Sequence, residues 1–291
     1  MNFASDNWAG ATDAVMAAVV RHNAGFAAAY GGDGLTAAVT ARFGEIFERK
    51  VEVLFTATGT ASNALSMAAA ARPGGLIFCS ADAHLLNDEY GASEFFTGGM
   101  KAVPVPETRG LISVAALEAA LARYPDGGRG GRPVVLSLTQ ASEAGTVYPL
   151  EAIAALSAVA RTRGMAVHMD GARFANGVAA LGATPAEITW RAGVDIMSFG
   201  GTKNGCLAAE AIVVFEPGRW PDLPILRQRA GQTLSKARFA AAQFEAYLVD
   251  GNWLRTAAHA NVMARRLALG IAANGTARLG WETQANEVFA V

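Results

Sequence analysis

The chain has 291 residues, of which 52% are hydrophobic and 17% are charged, and its formal net charge is −1. This composition is typical of a globular protein with a large core, and the length suits one large α/β domain with a small second domain. A balanced charge without a basic block argues against nucleic acid as a main partner, and two cysteines give no disulfide framework and fit a reducing compartment.

The N-terminal region lacks the features of a targeting or membrane segment. Residues 1–14 contain no basic stretch followed by an apolar one, so no signal peptide is expected. The helical run at 14–20 is too short to span a bilayer. We therefore expect a cytoplasmic protein without a membrane partner.

The first chemical motif follows a short apolar run at 51–54. Thr58-Gly59-Thr60 comes next, and a strong helix-forming stretch occupies 64–71. A strand, a Gly-Thr turn and a helix N-terminus can bind phosphate, because free N–H groups and the helix dipole face the anion. The segment matches neither the dinucleotide fingerprint nor the P-loop. Taken alone, the motif is better explained as a capped helix without a ligand.

Strands and helices alternate along most of the chain. This pattern predicts an α/β fold with a mostly parallel sheet and helices on both faces. We predict a large domain at 1–240 and the start of a small C-terminal α/β domain at 241–291. The predicted strands are 51–56, 76–80, 101–105, 134–139, 165–169, 194–198 and 211–215, and helices are predicted at 114–124 and 253–273, among others.

Two further motifs stand at the ends of successive predicted strands. The first is His168-Met169-Asp170-Gly171-Ala172-Arg173, and the second is a glycine-rich turn that carries Lys203. Open α/β sheets bind ligands at the carboxyl edge. A lysine that bonds to the cofactor and a carboxylate that pairs with its pyridine nitrogen are what pyridoxal phosphate chemistry requires. A solvated turn lysine and an N-cap aspartate are the simpler interpretations of each motif alone.

Together these motifs resemble the low-specificity L-threonine aldolases, in the β-eliminating lyase group of fold-type-I pyridoxal phosphate enzymes. The resemblance implies cleavage of L-threonine, L-allo-threonine and related β-hydroxy-α-amino acids, with β-phenylserine among them, to glycine and an aldehyde. It also implies a homodimer or homotetramer with shared active sites, in which residues 1–35 pack at the interface. The matching segments are 3–7, 30–33, 58–60, 88–89 with His84, 168–173 and the Lys203 turn.

The resemblance also implies a role for each cofactor residue. Lys203 would bind pyridoxal phosphate covalently, and Asp170 would pair with its ring nitrogen. Gly59 and Thr60 would hold the phosphate, with Thr202 as a further donor. His84 would stack on the ring and is the candidate base for the β-hydroxyl, directly or through a water, since an unperturbed histidine titrates near neutrality. No metal is implied.

The substrate residues follow from the same resemblance. Arg173 would reach the ring 3-oxygen and the substrate carboxylate, which its planar guanidinium matches. Ser5 would lie near that carboxylate, and Tyr30 would serve the neighbouring subunit's site. His168 shares a face with Asp170 but sits deeper in the sheet, so we expect it to be structural.

The chain departs from the family pattern at several points. Many members have the segment Glu-Asn-Thr-His. The corresponding stretch of this chain, 139–146, contains no histidine, and Glu143 stands roughly in its place. A glycine-rich stretch that often touches the neighbour's phosphate is reduced here. Lys236 is our candidate for that contact, and an exposed, solvated basic run is the simpler interpretation. Residues 281–291 read as a strand at which the chain stops, so we expect either a fragment or a naturally short chain with an incomplete small domain.

Three functions remain open on the sequence alone. The first is the aldolase. The second is another pyridoxal-phosphate-dependent reaction, such as β-elimination, on the same scaffold. The third is a non-catalytic scaffold protein that keeps the fold, against which the joint presence of Lys203, Asp170, Arg173 and His84 argues.

Overall fold

The structure, a computed structural model, describes residues 3–275 and 277–291. One seven-stranded sheet organises it, in the order β1-β9-β8-β7-β6-β2-β3, and β4 and β5 form a separate two-stranded ribbon. The strands are β1 Glu52–Thr56, β2 Gly75–Ser80, β3 Lys101–Val105, β4 Glu107–Thr108, β5 Leu111–Ile112, β6 Arg132–Thr139, β7 Ala166–Gly171, β8 Ile196–Gly200 and β9 Glu210–Val214.

The sheet is parallel except for β9, which pairs antiparallel with both β1 and β8. The other pairs, β2 with β3 and β6, β6 with β7, and β7 with β8, are parallel. The prediction of a mostly parallel α/β sheet is therefore confirmed, and each predicted strand agrees with the structure to within two residues at either end. The ribbon of β4 and β5 was not predicted, because its strands have only two residues each.

Twelve α-helices surround the sheet in the part of the chain that the structure describes. The predicted helices at 114–124 and 253–273 correspond to α6 and α12. The helices are α1 Asp13–Arg21, α2 Gly34–Ile46, α3 Gly59–Ala70, α4 His84–Asn87, α5 Ala92–Phe96, α6 Val114–Ala122, α7 Leu150–Thr162, α8 Phe174–Leu181, α9 Pro185–Ile188, α10 Leu223–Arg229, α11 Arg238–Leu248 and α12 Asn252–Asn274. Among these described helices, none is long and apolar enough to cross a membrane.

Two apolar cores cover the two faces of the sheet. Successive residues of β9 enter different cores: Ala211 and Val213 enter one, and Ile212 and Val214 enter the other. This alternation follows from the two-residue period of a strand. All five residues of β9 are buried, as expected for a strand covered on both faces.

An aromatic cluster in the larger core ties the C-terminal helices to the sheet. Phe199 of β8 meets Phe244 and Tyr247 of α11 and Trp253 of α12, with ring centroids 5.6 to 6.3 Å apart. The predicted domain boundary at residue 240 falls within α11, and this helix packs on the same core as the sheet. The division into two domains stays a prediction.

The prediction that 281–291 form a strand is wrong. The segment is irregular and makes a single antiparallel bridge, between Leu279 and Ala290. The Trp281 and Phe289 rings stack at 4.6 Å between centroids, and the indole N–H of Trp281 donates to Ala144 O. The chain bends because Ala285 is buried beside Ala141 and Val147, which a straight strand from 281 would not allow.

Candidate active site

The carboxyl ends of β1, β7 and β8 border one polar pocket, as expected for an open α/β sheet. Its volume is about 270 Å³, a size that suits a small molecule. Most of the site residues predicted from the sequence line this pocket, namely Gly59, Thr60, His84, Glu143, Asp170, Arg173, Thr202 and Lys203.

Lys203 stands in a short turn directly after β8. Asn204 fixes the turn to the core, because its side-chain amide donates to Tyr247 Oη at 2.7 Å and to Trp253 O at 2.9 Å. Gly200 gives the turn its close approach to β7, because a Cβ at this position would lie 2.5 Å from Ala172 O. The core therefore fixes the backbone from which the lysine enters the pocket.

Asp170 lies near the end of β7 and lines the pocket, and each of its two carboxylate oxygens accepts a hydrogen bond. Its Oδ1 accepts from Ala172 N at 3.0 Å, and its Oδ2 accepts from Asn63 Nδ2 at 2.7 Å. The residue is only 4% exposed. A buried, oriented carboxylate beside a lysine is the pair that pyridoxal phosphate requires at its ring nitrogen and its aldehyde carbon.

A chain of polar side chains runs from Asp170 to His84. Asn63 also donates to Glu89 Oε1 at 2.9 Å, and the same oxygen lies 2.9 Å from His84 Nδ1. The Glu89 carboxylate is completely buried. Its hydrogen bond raises the pKa of His84 above the usual value, against the opposing effect of burial. Sequence reasoning missed the role of Asn63, although it lies on the same helix as Gly59 and Thr60.

The amino end of α3 forms one wall of the pocket. Thr58 caps the helix, its hydroxyl accepting from Ala61 N at 3.1 Å. The first turn of a helix leaves N–H groups without intrahelical acceptors, and Gly59 and Thr60 stand in that turn. These groups face the pocket with the positive end of the helix dipole, so the predicted phosphate site has the required donors.

Glu210 lies next to this wall, with its Oε2 4.0 Å from where a Cβ on Gly59 would stand, and was not predicted as a site residue. It begins β9, and its Oε1 accepts from Thr202 N at 3.2 Å. Burial raises the pKa of its carboxyl to about 7. The sequence did not mark Glu210 as a site residue, because Glu210 stands before the predicted strand 211–215 and the predicted site motifs follow the ends of strands.

Arg173 is the cationic group at one side of the pocket. Its Nε and Nη2 donate to the two oxygens of Asp6 at 2.7 and 3.1 Å, and Nη2 also lies 3.1 Å from Glu287 Oε1. Burial raises the pKa of Glu287 to about 7. The predicted carboxylate-binding arginine therefore already holds two carboxylates, and Glu287 was not foreseen because it is remote in the sequence.

Glu143 is held on one oxygen only. Its Oε1 accepts from His84 N at 2.8 Å and from Thr139 Oγ1 at 3.1 Å. Its Oε2 is buried and has no hydrogen-bond partner within residues 3–275 and 277–291. Burial, and next the charge of Asp170, raise the pKa of Glu143 to about 7.

Three predicted residues do not line the pocket. The hydroxyl of Ser5 accepts from Asn7 N at 3.1 Å and caps the turn that carries Asp6 to Arg173. Tyr30 is 62% exposed, and its N–H donates to Ser235 O, next to the exposed Lys236. Roles for Tyr30 and Lys236 in a neighbouring subunit's site stay predictions.

His168 is buried in the sheet, as expected for a structural residue. Its ring nitrogens lie 2.9 Å from Ser137 Oγ and 3.2 Å from Ser198 Oγ. Burial lowers the pKa of His168 to about 4, so the ring is neutral at physiological pH.

Comparison with known proteins agrees with this geometry. The profile of the family described as Beta-eliminating lyase matches residues 2–291. A low-specificity L-threonine aldolase from Pseudomonas sp. (strain NCIMB 10558) is 41% identical over 99% of this chain and 83% of its own length. The enzyme of the same description from Pseudomonas aeruginosa is 42% identical with the same coverage.

Solved structures show the same architecture. The Leishmania major threonine aldolase is 28% identical and superposes with a TM-score of 0.92 over 99% of this chain and 83% of its own. The Catharanthus roseus tryptophan decarboxylase, 14% identical, has a TM-score of 0.72 over 96% of this chain and 67% of its own, and at that identity it shows the fold alone. The predicted fold-type-I fold is confirmed.

Proposed function

The chain belongs to the β-eliminating lyase family, and from this premise we propose that it is a pyridoxal-phosphate-dependent aldolase that cleaves L-threonine, L-allo-threonine and related β-hydroxy-α-amino acids to glycine and an aldehyde. The observation that carries the proposal is the convergence of Lys203, Asp170 and the amino end of α3 on one pocket, beside the guanidinium of Arg173. The two Pseudomonas relatives are described by the same activity.

The side chains present fit the cofactor at each of its polar groups. Lys203 would bond to its aldehyde carbon, and Asp170 would pair with its ring nitrogen. Gly59, Thr60 and Thr202 would hold its phosphate. The cofactor supplies, when bound, an electron sink for the pair released from the substrate's Cα.

The other side chains orient the substrate. Arg173 would bind the substrate carboxylate, because a guanidinium offers two parallel donors to it. The substrate must then share Arg173 with Asp6 or displace Glu287. His84, tied to Asp170 through Glu89 and Asn63, would stack on the ring and keep its plane fixed. Lys203 would return a proton to Cα once the aldehyde has formed.

We propose that two copies of the chain share their sites. The N-terminal region exposes large apolar side chains, among them Trp8 at 65% and Tyr30 at 62%, which a monomer rarely leaves in water. A cytoplasmic location is proposed with it, since both cysteines are free and buried.

The test compares the purified full chain with its Lys203→Ala variant. The wild type should show the visible absorption of bound cofactor and release equal amounts of glycine and acetaldehyde from L-threonine. The variant should lose both the covalent cofactor band and the activity. Release of a 2-oxo acid and ammonia would establish the β-eliminating alternative, and a protein that stays colourless with added cofactor would refute the proposal.

A further inference from the structure

We propose that Glu143, and not His84, is the group that takes the proton from the substrate's β-hydroxyl. The inference rests on the proposed aldolase function and names the base of that same site. Among the described residues, Glu143 and Glu89 each have one anchored carboxylate oxygen and one buried oxygen without a partner, but only Glu89 is paired with the ring of His84.

The anchoring of Glu143 leaves it prepared to accept a proton. Two donors, His84 N and Thr139 Oγ1, fix Oε1, so the carboxyl cannot rotate freely. The other oxygen, Oε2, is removed from solvent and has no partner in the described part of the chain. A buried acceptor without a donor is costly, and a substrate hydroxyl that donates to it would remove that cost.

His84 is arranged in the opposite way. Its Nδ1 is paired with Glu89, whose carboxylate is wholly buried and is held in turn by Asn63. This partner stabilises the protonated ring, and the pKa of His84 is raised accordingly. Because Nδ1 is engaged with Glu89 and the raised pKa favours the protonated ring, His84 is better suited to donate a hydrogen bond than to take a proton from a hydroxyl.

The electrostatic setting of Glu143 also suits a base that works near neutrality. Burial raises the pKa of its carboxyl to about 7, and Asp170 on β7 adds to the rise. A base whose pKa lies near the working pH is deprotonated in a large fraction of the molecules and still binds a proton well. The other ionisable groups that interact with Glu143 come from other elements, and they are Cys79, Tyr148 and Arg173.

The step balances without any further reactant. The O–H bond breaks, and its proton passes to Glu143 Oε2. The Cα–Cβ bond then breaks, the Cβ–O bond becomes the carbonyl of the aldehyde, and the electron pair remains with Cα and its electron sink. Cα takes one proton from Lys203, and the proton held by Glu143 then replaces the one that Lys203 has given up, so the site ends as it began.

The test separates cleavage from exchange at Cα. Glu143→Gln keeps the side-chain shape and the anchored oxygen but cannot accept a proton. The holoenzyme is assayed for acetaldehyde release from L-threonine, and by NMR for exchange of the glycine Cα proton in D₂O. We expect kcat for cleavage to fall about 100-fold or more, while glycine exchange stays within about twofold of the wild-type rate.

The dependence on pH provides a second readout. In the wild type kcat should rise with pH, because the carboxylate of Glu143 is the active form and burial already raises its pKa to about 7 in the free protein. This rise should be absent from the residual activity of Glu143→Gln. His84→Asn should slow cleavage and exchange by similar factors and keep the rise.

Four results would overturn the inference. Near wild-type cleavage by Glu143→Gln would exclude Glu143 as the base. Equal loss of cleavage and exchange in this variant would assign it a purely structural role. Loss of the pH-dependent rise in His84→Asn, with the rise kept in Glu143→Gln, would return the base to His84. A wild type that exchanges glycine but releases no aldehyde would refute the aldolase itself, and with it this step.

Discussion

Asn63 holds Asp170 in place, its side-chain amide donating to Asp170 Oδ2 at 2.7 Å within the buried core of the site. The same amide donates to Glu89, which pairs with His84. One residue of α3 thus connects the carboxylate proposed to pair with the cofactor's ring nitrogen to the histidine proposed to stack on the ring.

Removing this amide should weaken cofactor binding. Asn63→Ala leaves two buried carboxylates short of a donor, and each lost charge-assisted hydrogen bond costs about 1.5–3 kcal/mol. We expect the dissociation constant for pyridoxal phosphate, measured by absorbance titration, to rise at least about tenfold. Ser66→Ala is the matched control, since its buried hydroxyl on the same helix has no partner among the described residues. Equal affinities in the two variants would contradict the role given to Asn63.

The pairing of Glu287 with Arg173 predicts an unusual pH effect on KM. The pKa of Glu287 is raised to about 7 by burial, so the side chain ionises as the pH rises through that value and then competes with the substrate carboxylate for the guanidinium. KM for L-threonine should increase severalfold between about pH 6 and pH 8. Glu287→Gln should remove this increase and lower KM at pH 8. A KM that rises equally in the variant would show that another group is responsible.

Arg173→Lys should raise KM more than it lowers kcat. Lysine keeps the positive charge but cannot make the two-pronged contact with Asp6 or with a substrate carboxylate. We expect KM for L-threonine to rise about tenfold or more, which steady-state kinetics would measure. Arg161→Lys, on the outer end of α7, is the control and should leave both constants unchanged. A fall confined to kcat would place Arg173 in the chemical step.

The buried carboxyl of Glu210 predicts a loss of stability with rising pH. Its folded pKa is about 7 and its ordinary value is 4.5, so between these values the unfolded chain releases a proton that the folded chain retains. The free energy of unfolding therefore falls across this window and levels off above it. Glu210→Gln, measured without cofactor by thermal unfolding, should match the wild type near pH 4.5 and be more stable by about 1–3 kcal/mol at pH 8. A constant difference at both pH values would contradict this.

The contact between the ends of β7 and β8 leaves no room for a methyl group at Gly200. A Cβ there would lie 2.5 Å from Ala172 O and 2.8 Å from Ala172 Cα, and both are backbone atoms that cannot yield cheaply. Gly200→Ala should destabilise the protein by about 1–3 kcal/mol or more and displace the Lys203 turn, which lowers cofactor occupancy. Gly34→Ala, where nothing lies within 4 Å of the added carbon, is the control.

The residues of the candidate site that could be predicted from the sequence are those that directly follow a predicted strand. Lys203 and Asp170 follow apolar runs directly, and Thr58-Gly59-Thr60 separates a strand from a helix, so each can be recognised from its own neighbourhood. The sheet was predicted for the same reason, since a buried strand is a local apolar pattern.

The missed residues are those whose place depends on the packing of distant segments. Glu287 reaches Arg173 only because the C-terminal segment bends around Ala285. Asn63 faces inward from the second turn of a helix whose neighbours are also buried, so no periodicity marks it. Tyr30 and Lys236 point to a surface whose use depends on a second chain, and a single chain does not test it.

Because β9 runs antiparallel to β8, Lys203 and Glu210 belong to one short connection between these two strands. The chain leaves the sheet at Gly200, turns through Lys203 and re-enters at Glu210, directly opposite Gly200 in the register. An insertion or deletion between 204 and 209 would therefore disturb the positions of both Lys203 and Glu210. Glu143 and Glu287 lie in other segments of the chain, so changes there would leave the pairing of Gly200 with Glu210 intact.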